Sequence, residues 1–154
     1  MPRPPRHLSL TERPEIPLDG LLLGYGAMLP FPAAAALVLA VPETEPQALP
    51  LLRLWAAAIL LFLAGVRRGL SFRTEGGPRL SQIAMTLWLF GAGLLSLLLP
   101  PHPSLALQLA AYASLLALDP LAARAGEAPL YFLRLRPPQM AIPAASLALL
   151  LGLA

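Results

Sequence analysis

The sequence predicts an all-α protein, a polytopic membrane helical bundle with five transmembrane helices. Three observations lead there. Hydrophobic residues make up 57% of the 154-residue chain and charged residues only 12%, about half the roughly 25% charge of a soluble domain. The apolar residues come in runs that approach the ~20 residues needed to cross a bilayer. The basic residues, all arginine, fall almost entirely in the links between those runs and on one side of them. In water so apolar a chain would expose patches that drive aggregation, so lipid is its natural solvent.

Residues 1–19, MPRPPRHLSLTERPEIPLD, form a basic, proline-rich leader with Arg3, Arg6 and Arg13, read as cytoplasmic. Proline disrupts helix interiors, and the apolar run that follows is longer than a signal-peptide core. Residues 20–154 form a single membrane domain. Its first span, 21–41, carries Gly24 and Gly26 early and Pro30-Phe31-Pro32 near the middle, where a kink at Pro30/Pro32 is expected. A short acidic link with Glu43 and Glu45 leads to the second span, 51–66. Arg53, in its first turn, can lay its stem along the helix and reach the interface as an anchor. That span ends in Gly65-Val66-Arg67-Arg68-Gly69, a paired-arginine stop at the cytoplasmic surface.

Gly76-Gly77-Pro78 turns the polar link into the third span, 80–99, where Gly91 and Gly93 suit close helix approach. The fourth span, 102–118, is short, with Gln108, Tyr112 and Ser114 as polar handles. Asp119-Pro120 then reads as a boundary, because aspartate caps helices and proline suits a first turn. Residues 121–136 are too charged to span, and Tyr131, Phe132, Leu133 and Leu135 beside Arg134 and Arg136 suit the headgroup interface. The fifth span, 139–154, has Pro143 near its start.

Five spans put the termini on opposite sides. With the N-terminus cytoplasmic and the C-terminus periplasmic or external, ten of the eleven arginines fall inside and only Arg53 outside, in agreement with the positive-inside rule at every crossing. Nucleic acid is a poor partner, because no basic stripe interleaves with aromatics. The chain has no cysteine, and its two histidines, His7 and His102, lack carboxylates at ligand spacing, so no metal or cofactor is expected. No Ser–His–carboxylate set, paired-glutamate site or GxxxxGK loop is present, and a non-enzymatic role is expected.

Among candidate residues, Gly65 and Gly69 lie four apart on one helix face, where another backbone can approach. Arg67 and Asp119 both lie near the inner face, and pairing between them is expected. Tyr25 and Pro30, about one turn apart, are placed to line an inward-facing kink with Tyr112, but a structural tyrosine hydrogen bond is the leading reading.

Three islands carry a resemblance: LLLGYGAMLPF at 21–31, AAILLFLAGVRRGL at 57–70, and 119–138 with LYFLRLRPP. In order and spacing they resemble the small bacterial and mitochondrial membrane proteins related to transmembrane protein 69, a family defined as a domain of unknown function. Its first-span pattern falls on Gly24, Tyr25, Gly26, Pro30 and Phe31. Its second-span pattern falls on Phe62, Leu63, Gly65, Arg67 and Gly69, with Ala64 in place of a glycine and Arg68 in place of a tryptophan. The third island retains Asp119, Tyr131, Leu135 and Arg136. The resemblance implies a multi-pass protein of the bacterial inner membrane and no established chemistry. The function expected is a structural or assembly factor embedded in the lipid bilayer, packing with a membrane-protein partner or as a homo-oligomer. The alternative is a small transporter or channel component, and a membrane enzyme ranks third.

Overall fold

In lipid every backbone polar group needs an internal partner, so apolar runs of this kind close into helices. The computed structural model describes residues 15–153, and the expected leader with Arg3, Arg6 and Arg13 lies mostly outside them. Among the described residues all regular structure is helical: α1 (Leu18–Gly26), α2 (Pro30–Ala40), a 3₁₀ turn (Pro42–Thr44), α3 (Glu45–Ser71), α4 (Leu80–Leu98), α5 (Pro101–Arg124) and α6 (Phe132–Leu153). Four segments are long and apolar enough to cross a membrane: Leu18–Ala40, Pro42–Ser71, Leu80–Leu98 and Pro101–Arg124. The protein is thus a multi-pass membrane bundle with four such segments. The 22-residue α6 matches them in length, but Arg134, Arg136, Gln139 and three prolines dilute its apolar character.

The long helices pack as α4 on α3 and α6 on α5, with α2 seated against both α3 and α6. Their shared core holds Phe31, Leu60, Leu89, Leu105, Tyr112, Leu115, Met140 and Leu147, all essentially inaccessible. The outer faces carry Leu51, Phe62, Leu87, Phe90 and Leu95 exposed, as lipid-facing helices do.

The structure moves several boundaries. The first helix breaks over residues 27–29, just ahead of Pro30/Pro32, instead of bending at them. Pro30 has no N–H for Gly26 O and Pro32 none for Met28 O; Leu29 and Phe31 donate to those carbonyls from one residue earlier, at 3.3 and 3.2 Å. Pro30 then occupies the first turn of α2, where a missing donor is harmless. Helix α3 outruns the expected 51–66 at both ends. Pro46 sits in its first turn, and Arg67 and Arg68 lie inside it, because a guanidinium marks membrane depth without breaking a helix.

Asp119-Pro120 likewise lies within α5. That helix ends instead at Gly126, whose φ of 73° is readily adopted by glycine. Gly126 N–H donates to Ala123 O and Glu127 N–H to Ala122 O, a Schellman closure. Helix α6 starts seven residues ahead of the expected 139, its first turn wound on bonds from Leu133 to Leu130 O and Arg134 to Tyr131 O.

Candidate functional site

The site begins at the break between α1 and α2. The tightened turn diverts Met28 N–H to Tyr25 O and Phe31 N–H to Met28 O, which leaves the Gly24 and Ala27 carbonyls without their helical donors. Buried backbone carbonyls need partners, and two other helices supply them. Gln139 Nε2 of α6 donates to Gly24 O at 2.9 Å, and Trp55 Nε1 of α3 donates to Ala27 O at 2.9 Å. Every carbonyl from Leu23 to Leu29 therefore has a donor. Gly24 leaves room for this contact: a Cβ there would lie 3.0 Å from Gln139 Nε2 and push the amide back by a few tenths of an ångström.

Gln139 leads inward to the charges. Arg136 Nη1 donates to Gln139 Oε1 at 3.4 Å, and Arg136 Nε lies 3.3 Å from Asp119 Oδ2. The other Asp119 oxygen accepts from Arg67 Nη2, forming the pair expected from the sequence. Asp119 is 1% exposed, Arg67 4% and Arg136 7%. Two guanidiniums thus share one carboxylate out of water, an excess of one positive charge. Neither Arg67 Nε nor Arg136 Nε makes a hydrogen bond. The Arg136 guanidinium also stacks over Phe132, 4.4 Å from the ring centre, a favourable cation–π contact. The relay from Gly24 to Arg67 joins α1, α6, α5 and α3, and each of the three sequence islands contributes to it.

The remaining candidates divide around this relay. Phe31 is buried edge-on against Tyr112, with ring centres 5.3 Å apart, and Tyr112 donates to Ala56 O. Phe31 is thus the residue of the first island that meets Tyr112, while Tyr25 is half-buried and Pro30 walls a lateral apolar groove between α2 and α3. Tyr131 packs edge-on against Phe132. Gly26, Gly65 and Gly69 have open space where a Cβ would stand, and Phe62 is 65% exposed. The internally required glycine of the third span is Gly93, whose Cβ would lie 3.2 Å from Ala57 O and 3.1 Å from Leu61 Cγ.

A groove of about 500 Å³ lies beside the relay, between α1, α3 and α6. Ile59, Phe62, Leu63 and Val66 form one wall, and Arg136 and Gln139 line it.

At the opposite end of the bundle, half-buried Arg53 reaches the turn between α4 and α5. Its Nη2 donates to Leu99 O at 2.6 Å and its Nε to Ser104 Oγ at 3.0 Å, closing the carbonyl end of α4. Ser104 Oγ donates to Ser96 O, and Gln108 Nε2 donates to Arg53 O and Ser96 Oγ. Sequence reasoning assigned no role to Gln139, Ser96 or Ser104. The available signal was spacing: Ser104, Gln108, Tyr112 and Asp119 fall on one face of α5, and all four are buried.

No curated protein and no solved structure matches the chain. A family model does, that of proteins of unknown function DUF3429, over residues 16–152. The match covers nearly the whole chain, the three islands included, and the chain belongs to this family.

Proposed function

We propose that the protein is a non-enzymatic structural or assembly factor of the bacterial inner membrane, which packs against a membrane partner through the outward face of α3. One observation carries this reading. Gly24 and Gly93 answer close contacts inside the chain, whereas Gly65 and Gly69 face open space beside the exposed Phe62. Small residues at helix spacing on a lipid-facing surface let a second backbone approach closely. The partner is another membrane protein or a second copy of the chain. Transport is the weaker reading, because the carbonyls at the helix break are occupied by Gln139, Trp55 and neighbouring amides and are not free to hold a solute. Kinship with transmembrane protein 69 rests on the three sequence islands.

In the proposed topology α6 is a fifth crossing, its 22 residues reaching about 33 Å. Arg67, Arg68, Arg73, Arg79, Arg124, Arg134 and Arg136 lie at the end of the bundle assigned to the cytoplasm, and Arg53 at the other. The N-terminus is then cytoplasmic and the C-terminus periplasmic.

Gentle purification with native mass spectrometry tests the function. A stoichiometric partner or a homo-oligomer is expected, lost on Gly65→Leu/Gly69→Leu while thermal stability is retained. Unchanged assembly in that variant would refute the α3 face, and solute flux in liposomes would favour transport. Reporter fusions after Thr44, Gly76, His102, Glu127 and Ala154 test the topology; a cytoplasmic signal at Ala154 would defeat five crossings.

A further inference from the structure

We infer that the groove between α1, α3 and α6 is a binding site for an anionic phospholipid. Arg136 would meet the head-group phosphate, and an acyl chain would lie along Ile59, Phe62, Leu63 and Val66.

Charge balance comes first. Asp119 is the sole carboxylate within ion-pair distance of Arg67 or Arg136 among the described residues, so the buried cluster keeps one uncompensated positive charge. A cation taken out of water gains most from a second anion held nearby, because the surroundings screen it poorly. The geometry comes next. Arg136 is 7% exposed, yet it lines the groove, while its Nε faces inward to Asp119 Oδ2 at 3.3 Å. Gln139, beside it, adds a polar group to the same wall.

The groove's shape narrows the ligand class. A volume of about 500 Å³ falls within the range of small-molecule sites, more than a bare phosphate would fill. Apolar side chains form most of its lining, so the complement is a molecule with one anionic end and one hydrocarbon end. The groove also lies at the arginine-rich end of the bundle. Asp19 stands exposed at the mouth, and its charge opposes an anion there.

The test uses the purified full chain in a neutral detergent, titrated with phosphatidylglycerol or phosphatidylcholine and followed by native mass spectrometry. Both lipids present a phosphate to Arg136, but the choline cation of phosphatidylcholine cancels its charge and is repelled by the unbalanced guanidinium, so phosphatidylglycerol is expected to bind roughly tenfold or more tightly. Arg136→Gln should erase that preference. Val66→Trp, which fills the groove and leaves all three charges in place, should weaken both lipids without lowering the melting temperature. Asp19→Asn should strengthen phosphatidylglycerol binding. Equal binding of the two lipids would overturn the proposal, as would a preference that survives Val66→Trp or displacement of the lipid by millimolar inorganic phosphate. The last result would identify a site for a free anion. If Arg136→Gln fails to fold, Val66→Trp and the lipid comparison decide alone. Gly65 and Gly69 do not line the groove, although Phe62 borders both surfaces; lipid binding that persists in Gly65→Leu/Gly69→Leu while assembly is lost separates this proposal from partner packing.

Discussion

Asp119→Asn is the most informative single change, because it keeps the side-chain shape and removes the only negative charge in the cluster. Asp119, Arg67 and Arg136 are all at least nine-tenths buried, so solvent does little to soften the loss. At the 3.3 Å separation of Arg136 Nε and Asp119 Oδ2, the gross attraction is about 5 kcal/mol at an effective dielectric of ~20. Arg67 contributes a second attraction of the same kind. Most of the gross value is offset by desolvation in the native protein, and removing one partner of a buried pair typically costs about 3–5 kcal/mol. Asp119→Asn should reach the upper part of that range, because it strands two guanidiniums that then repel each other.

The arginine variants should behave differently. Arg67→Gln and Arg136→Gln each leave a neutral one-to-one pair, so each should cost about 1–3 kcal/mol, the scale of a lost hydrogen bond to a charged group. A simple swap, Arg67→Asp with Asp119→Arg, should restore stability only in part, because the new arginine would face Arg136. Adding Arg136→Gln to the swap should improve it. Detergent unfolding curves followed by the fluorescence of Trp55 and Trp88 provide the assay. If Asp119→Asn proves no more destabilising than Arg136→Gln, the shared-carboxylate argument fails.

Three further predictions follow from the packing, all readable in the same unfolding assay. Gly93→Ala should destabilise by about 1–3 kcal/mol, because the added Cβ meets the Ala57 carbonyl at 3.2 Å and backbone yields little; Gly65→Ala, with open space around it, should be neutral or stabilising by up to ~1 kcal/mol. Gln139→Leu should cost about 1–3 kcal/mol by leaving Gly24 O without a donor, and Gln139→Glu should not rescue it, because an ionised carboxylate cannot donate. Arg53→Met should lower stability by about 1–3 kcal/mol through the lost bonds to Leu99 O and Ser104 Oγ, with faster hydrogen exchange at the α4–α5 turn.

Local composition made much of this fold legible. Long apolar runs, arginine-marked links and the Gly76-Gly77 turn are properties of neighbouring residues, and they set the class, the approximate helices and the sided charge. Arg67 and Asp119 were readable as partners because both lie near one end of the bundle. The exact helix limits were less legible. A proline costs little in a first turn and can be tolerated farther in, so Pro46, Pro120 and Pro137 did not stop their helices, whereas Gly126 did.

What the tertiary structure decided is which polar group serves which neighbour. Arg136 looked like an interfacial residue and proved to be the third member of a buried cluster. Gln139 looked like the start of a span and proved to be the donor that completes a helix break 115 residues away. Arg53 turned inward to close α4, and only two of the spans' paired glycines, Gly24 and Gly93, met close neighbours. The division has a physical cause. Hydropathy and helix formation act within a few residues along the chain, whereas satisfaction of a buried carbonyl or guanidinium depends on which helix faces meet, and packing alone settles that.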